Sequence, residues 1–403
     1  MNKKLLAAGI VVLAVAAGSW PALVWYQARE FDRSVKTWVD KFNEVSAVRL
    51  TVTETARSFS SREFSVDLNL KDPELVTHQA SLIARLNGHI NFGWHIVSDM
   101  KTDTKNGIII ARITQDGKIP YDDDWHLNAN WRGRVESIAW DIQPINYHDE
   151  KEDLTITTSA INLLMTHDGK DAKLDWRAPT VIVNERMRGF EMKGLHYQLQ
   201  TMGDDVRVTN HIDTIALRES GDHINTFGAS DLQGDVKVLE KGKDGKPKLA
   251  TFNIDYKLNG LALEDVVTSD RLQFKLDIDR LPIVPTGTYA EYLQAWNTIL
   301  RGFENGMTVT IPSLTVVNGS HVTELKMHLK REETTNGMSL GTIDLSFDPL
   351  AFGEKADMGK DLLSLVMSTD RKSWTHENGL VKAHWVLPYS YIDELLATIN
   401  HQQ

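Results

Sequence analysis

Two rhythms of apolar and polar residues divide this chain. Residues 5–26 carry no charge and follow Lys3 and Lys4. The 22 residues from Leu5 to Tyr26 are enough for a helix to cross a hydrocarbon layer of roughly 30 Å. Phe31, Val35, Trp38, Phe42 and Val45 then recur at i, i+4, i+7, i+11 and i+14, one face of a continuing helix. Pro21 falls inside the apolar run, where freed carbonyls can be satisfied locally, so it kinks the span without ending it.

From residue 49 the period changes to two. Phe64, Val66, Leu68 and Leu70 alternate with polar neighbours, as do Phe252, Ile254, Tyr256 and Leu258, and Leu272, Phe274, Leu276 and Ile278. Strict alternation means one dry and one wet face, as in antiparallel sheets. Ten of the 26 glycines directly follow Asn or Asp, the pairs that suit tight hairpin turns. A turn at Asp168-Gly169 sets Met165 opposite Ala172, Leu163 opposite Leu174 and Ile161 opposite Trp176. One at Asn378-Gly379 sets Trp374 opposite Ala383 and His376 opposite Val381, with Trp385 and Leu387 on the same side. One at Asn106-Gly107 sets Met100 opposite Ile113 and Thr104 opposite Ile109. About sixteen strands are expected between residues 49 and 387.

Helical periodicity returns at three places. Thr288 and Glu291 resemble a capping box ahead of a stripe of Tyr289, Leu293, Trp296, Leu300 and Phe303. Residues 355–368 carry Met358, Leu362, Leu365 and Val366, and Ser390 can cap a helix that turns Ile392, Leu395 and Ile399 inward. The predicted fold is therefore mainly β: a long antiparallel sheet, curved into a trough or folded like a sandwich, with a few short helices. It divides into a cytoplasmic tip at 1–4, a transmembrane helix at 5–26, an amphipathic juxtamembrane helix at 27–45 and a β-rich body at 49–403. Helices are expected near 288–302, 355–368 and 390–400. A sheet with one apolar side must be covered or rolled.

Lys3 and Lys4 before the span, with Trp20, Trp25 and Tyr26 at its far end, set the orientation. Basic residues stay cytoplasmic and aromatic rings favour the interface, which puts the bulk of the chain outside the inner membrane. The anchor residues named by this pattern are Leu5, Trp20, Trp25 and Tyr26. A cleaved signal peptide ending at Ala14-Val15-Ala16 is the competing reading, but apolar character runs on past that site.

Composition narrows the chemistry. Net charge is −11, which disfavours a nucleic-acid partner. The absence of cysteine excludes disulfides, thiol catalysis and Cys-based metal sites. No His-Glu-x-x-His or His-x-x-x-His pattern organises the 14 histidines. His89 and His95 would share a strand face only if Gly93 leaves the register intact, and His376 and His384 fall on opposite faces, as do His321 and His328. Asp122-Asp123-Asp124 beside His126 lacks the glycine and ligand spacing of a calcium loop and reads as a charged edge. Gly228-Ala229-Ser230-Asp231-Leu232 lacks the last glycine of a nucleophile elbow. The Lys241 to Lys248 island lacks the phosphate-loop pattern and reads as a solvated hairpin tip. No catalytic, cofactor or metal residue is therefore named. Trp94, Trp125, Trp131, Trp140 and Trp176 cluster in sequence and could line a groove for sugars or acyl chains, with Trp125 and Trp131 on one strand face; core packing is the other use for them.

Three segments carry a resemblance. Phe59-Ser60-Ser61 runs into Val66, Leu68 and Leu70; Asp255-Tyr256-Lys257-Leu258-Asn259-Gly260-Leu261 sits mid-chain; Pro312-Ser313-Leu314 leads to Asn318-Gly319 and Leu325, Met327 and Leu329. In this order they resemble the YdgA-like family of bacterial proteins of unknown function. The resemblance implies a short N-terminal membrane anchor and a large extracytoplasmic β-rich body, and it implies no reaction. Arg57 and Ser58 stand where the family often has a glycine, and Gly88 to His95 departs from its His-Gly-Pro-Phe element. Two functions follow from the whole reading: a non-enzymatic envelope module that binds or assembles with itself or other envelope components, or a lipid or acyl-chain carrier with an apolar groove. A hydrolase with a dispersed active site comes third.

Overall fold

The computed structural model describes residues 3–45, 48–70, 82–93, 95–102, 123–150, 153–168, 171–186, 188–218, 224–243, 245, 247–263, 267–283, 297–334, 337–353, 359, 361–362, 364, 374–377 and 379–392. Among these described residues are one long helix, α1 (Lys3–Val45), and 22 strands. Strands β1 to β6 are Val48–Arg57, Ser61–Leu70, Leu82–Asn91, Val97–Thr102, Asp123–Ala129 and Val135–Ile142. Strands β7 to β10 are Asn146–Asp149, Leu154–Thr158, Ile161–His167 and Ala172–Glu185. Strands β11 to β15 are Arg188–Met202, Asp205–Ile212, Thr214–Arg218, Ile224–Phe227 and Ser230–Lys241. Strands β16 to β22 are Pro247–Leu263, Val267–Pro282, Thr308–Asn318, His321–Thr334, Gly337–Phe347, Trp374–Glu377 and Leu380–Pro388. The described registers are all antiparallel, as the period-two pattern requires. The chain divides into two compact units, Met1–Tyr147 with Ala160–Leu174, and His148–Ser159 with Asp175–Gln403.

The first unit is a meander covered by α1. Its dry face runs across the strands through Val52 and Val66, Leu86, Ile90, Met100, Trp125 and Leu127. The helix lays Val24, Ala28 and Phe31 on this face, with Val35 and Trp38 packed beside them. Phe31 meets Phe64 at 5.9 Å and Phe92 at 5.6 Å between ring centres. The stripe expected from Phe31 onward thus begins a full heptad earlier, at Val24, which is wholly buried. α1 passes through Pro21 without ending. Gly88, which follows Asn87, lies inside β3 and not in a turn: it stands opposite Phe64, whose ring would be 2.3 Å from a Cβ there.

The pairing expected for Met100 is corrected. Its strand neighbours are Gly88 and Trp125; Thr104, Ile109 and Ile113 lie outside the described residues.

In the second unit, β12 with β13 and β14 with β15 behave as two long strands, each broken once. The breaks fall at Asp213 and at 228–229. Gly228 makes its break possible, because a Cβ there would lie 1.7 Å from the Asn259 carbonyl oxygen. From β15 the sheet continues by antiparallel pairing through β16, β17, β18, β19 and β20 to β22 and β21. Broken and short strands of this kind explain why alternation alone predicted about sixteen. The hairpin at Gly379 (φ +81°) pairs Trp374 with Ala383 and His376 with Val381, as read from sequence. The lysine-rich stretch is a hairpin tip between Lys241 and Pro247.

The apolar alternation around the other turn fails at one point. Asp168 and Asp171 close it, the Asp171 amide donating to Asp168 Oδ1 at 2.9 Å, one residue later than expected. Further along β10, Trp176 is 40 % exposed and Asp175 only 9 %. Asp175 faces inward because Arg177 Nε at 3.0 Å and Gln198 Nε2 at 2.7 Å donate to it, so paired polarity overrides the alternation.

Of the three predicted helices, parts lie among the described residues. A helix over 297–301 runs into a 3-10 turn at Gly302–Asn305, where Phe303 is buried with Ile299 and Leu300 beside it. Residues 359, 361–362 and 364 are helical, with Leu362 packed on the core; residues 390–392 are helical, with Ile392 buried. Tyr289, Leu293, Trp296, Met358, Leu365, Val366, Leu395 and Ile399 lie outside the described residues. A further 3-10 turn, Pro349–Phe352, is capped by Asp348 Oδ1, which accepts from the Leu350 amide at 3.0 Å.

Candidate functional site

The registers of the second unit place its apolar residues on one face, row by row. One row runs Leu232, Tyr256, Phe274, Leu314, Leu325 and Leu345 across six strands. Beside it, Val208, Gly234, Ile254 and Leu276 align on one flank, and Ile311, Met327, Ile343 and Trp385 further along. A third row runs Val206, Val236, Phe252, Ile278, Val309 and Leu329.

Two clusters of buried residues sit on this face. One gathers Leu261, Leu272, Val316, Leu345, Phe347, Phe352 and Val381; the other gathers Ile278, Val309, Leu329, Phe303, Met307, Tyr389 and Ile392. Between them, Tyr256, Phe274, Leu314, Leu325, Ile254, Leu276, Met327 and Ile343 belong to neither cluster and are half-buried. Burial still pushes the Tyr256 and Tyr197 hydroxyls above the ordinary phenol range.

The opposite face is a ladder of charges. Arg207 Nε donates to Asp235 at 2.7 Å, Lys275 lies 3.1 Å from Asp255, and His384 Nδ1 is 2.6 Å from Asp344, each pair directly opposed across neighbouring strands. Such pairs stabilise a sheet modestly and fix its register. Burial raises the Asp235 carboxyl, but the hydrogen bonds from Arg207 and Gln233 together with the Arg207 and Lys237 charges outweigh it and leave the group below its usual range. His211 is held twice: Nδ1 lies 2.7 Å from Asp231 and Nε2 3.0 Å from Asp213. These contacts, Asp231 first, raise its pKa above the ordinary histidine value. Concavities of 460 Å³ beside Glu324, Lys326, Asp344 and His384, and of 300 Å³ beside His196, His211, Asp231 and Asp255, open on this polar side.

Of the five tryptophans expected to line a groove, Trp125, Trp131 and Trp140 are described in the first unit and Trp176 in the second. Trp125 and Trp140 stack with ring centres 4.8 Å apart and planes 14° off parallel. Asp123 accepts both indole N–H groups, at 3.0 and 2.8 Å, so this carboxylate is a clamp within the sheet, not a charged edge. Trp131 does not share a face with Trp125: β5 ends at Ala129, and Trp131 lies in the following turn, 67 % exposed under the Arg132 guanidinium. Trp94 and Asp122 lie outside the described residues.

Of the anchor residues, Trp20, Trp25 and Tyr26 are exposed on α1, and the side chain of Leu5 lies outside the described set, which begins at Trp20. Among the described residues no helix is long and apolar enough to cross a membrane.

Histidines reach separate partners: His196 to Asp175, His321 to Asp348, His328 to Thr310. β3 ends at Asn91, so His89 and His95 do not share a strand. Among the described residues no three His, Asp or Glu side chains are grouped to hold a metal ion. Ser230 is a buried strand residue. The apolar rows and the charge ladder were out of reach of sequence reasoning because both depend on register across strands far apart in the chain. No family model, no curated protein and no solved structure matches the chain.

Proposed function

We propose that this chain is a bacterial inner-membrane protein with its body in the periplasm, a non-enzymatic binding module whose apolar β face takes acyl chains of lipids. The anchored reading rests on the 22 uncharged residues after Lys3 and Lys4 and on the aromatic residues that end them. The order of the three resembling segments supports placing the chain with the YdgA-like family. The first falls at the start of β2, the second within β16 and the third on the hairpin of β18 and β19.

The observation that carries the binding role is the set of half-buried apolar side chains between the two clusters of the second unit. A contiguous apolar face left partly in water costs about 25 cal/mol per Å² relative to a covered one, so a protein that keeps one gains by covering it. An extended chain of methylene groups matches rows that run across consecutive strands. Charge on the other face keeps that side in water.

The test is lipid extraction and native mass spectrometry on the full chain after mild detergent solubilisation. Phospholipid should co-purify, and Phe274→Asp should abolish most of it while Lys275→Gln, on the charged face, should not. A chain that purifies lipid-free as a monomer would overturn the reading. A lipid-free oligomer would replace it with self-assembly through the same face.

A further inference from the structure

The hairpin tips of the first unit converge on one short stretch of α1. Phe59, in the turn between β1 and β2, meets Trp20 with ring centres 6.0 Å apart. Gln27 is 2 % exposed, and its amide ties two more tips to the helix. Nε2 donates to the Gly93 carbonyl at 3.0 Å and to the Trp131 carbonyl at 2.7 Å, while Oε1 accepts from the Gly93 amide at 3.0 Å. Gly133, in the turn between β5 and β6, lies so close that a Cβ would be 2.1 Å from the Gln27 carbonyl oxygen, and its φ of +86° suits glycine. Losing such a buried amide strands several backbone groups, so helix and tips behave as one body.

The outward surface of this junction is apolar and aromatic. Phe59 is 53 % exposed, Val97 60 %, Trp131 67 % and Trp25 56 %, with Trp20 and Tyr26 also on the surface. These side chains do nothing for the core, which the helix fills from Val24 to Trp38.

Charge is segregated as well. Residues 20–29, 58–60, 92–97 and 130–134 contain Arg29, Arg132 and Arg134 but no Asp or Glu, in a chain whose net charge is −11. Arg29 lies over the Trp25 ring at 5.4 Å and Arg132 over the Trp131 ring at 4.9 Å. Stacked guanidinium and indole groups suit a layer that is apolar below and anionic above, which is the headgroup region of a bilayer. The uncharged stretch runs back from this group to Leu5, and Leu5 to Ser19 is 15 residues, about 22 Å of helix at 1.5 Å per residue, with Lys3 and Lys4 beyond it.

We propose that these tips form a seating collar around α1. Phe59, Val97, Trp131 and Arg132 enter the phospholipid interface together with Trp20, Trp25 and Tyr26, and the first unit rests directly on the membrane surface. The proposal rests on the anchored reading of α1 and adds a second, body-borne contact to it. The helix leaves the bilayer already welded to the sheet at Gln27, with no free tether between.

The chain has no cysteine, so single-cysteine variants can carry a nitroxide label. Phe59→Cys, Val97→Cys and Trp131→Cys report the collar, and Ser58→Cys repeats the first tip without removing an aromatic ring. Ala14→Cys reports the anchor, and Arg49→Cys, near the far end of the helix where Asn43 bonds Leu50, gives the aqueous reference. The full chain is reconstituted into vesicles of phosphatidylethanolamine and phosphatidylglycerol. The collar labels should lose accessibility to a water-soluble nickel chelate several-fold relative to Arg49→Cys and gain accessibility to oxygen. Collar labels as nickel-accessible as Arg49→Cys, with Ala14→Cys in hydrocarbon, would overturn the collar and leave the anchor standing. An aqueous Ala14→Cys would overturn both.

Discussion

Single side chains in this protein act mostly as joints between strands, and two of them have measurable consequences. Asp123 accepts from both indoles of the Trp125–Trp140 stack. Asp123→Ala should cost about 1–3 kcal/mol, the usual penalty when partly buried donors lose an acceptor, and should weaken the near-ultraviolet circular dichroism of the stacked rings. An unchanged spectrum would mean the stack holds without its clamp. His211 works through charge. Its pKa is raised in the folded state by Asp231 and Asp213, so its contribution is complete below 6.5, the ordinary histidine value, and is lost as pH rises through the higher folded value. His211→Gln should therefore lower the melting temperature in mildly acidic buffer and have little effect in alkaline buffer. A deficit that is equal at both would show that the ring matters for packing and not for charge. These roles were hidden in the sequence, where His211 is one of 14 histidines and Asp123 one of three adjacent aspartates. Only the register brings His211 opposite Asp231 and Trp140 within reach of Asp123.

At the scale of elements, α1 was legible and its docking partly so. The spacing of Phe31, Val35 and Trp38 announced a buried face, because a helical stripe repeats every three or four residues whatever it packs against. That the stripe starts at Val24, within the uncharged segment, was not legible: in a run without charge, apolar spacing carries no contrast. Phe31 is 4 % exposed between two aromatic rings, and Phe31→Ala should cost about 3–5 kcal/mol. The urea midpoint of the first unit, followed through the Trp125–Trp140 signal, should fall accordingly; a shift equivalent to less than about 1 kcal/mol would show that α1 is not part of that core. Among turns, the outcome differed for a physical reason. The hairpin at Gly379 formed in the expected register because the flanking apolar residues on both strands agree. Gly88 and Gly260 also follow asparagine, yet both sit inside strands, one to make room for Phe64 and the other at the closest approach to Gly228. Local turn propensity yields where a neighbouring strand needs the space.

Taken whole, the chain combines a helix whose residues 5–26 carry no charge with a β body that separates apolar from charged residues by face. The sequence alone determined the class of the fold, since alternation of period two permits little besides antiparallel strands with one dry side. It also determined the helical start, because charge exclusion over 22 residues is a property of composition. The candidate binding surface was legible only as an expectation that some apolar face exists. Tertiary structure decided where that face lies and what shares it. It moved the candidate to the row through Tyr256, Phe274 and Leu314, and it set Trp125 against Trp140, Trp131 in an exposed turn and Trp176 within β10. The reason is that a strand pattern tells which side of its own backbone a residue occupies, whereas a surface is made by several strands at once. Their registers, breaks and bulges are settled by packing and charge pairing between residues tens of positions apart, and no single stretch of sequence carries that information.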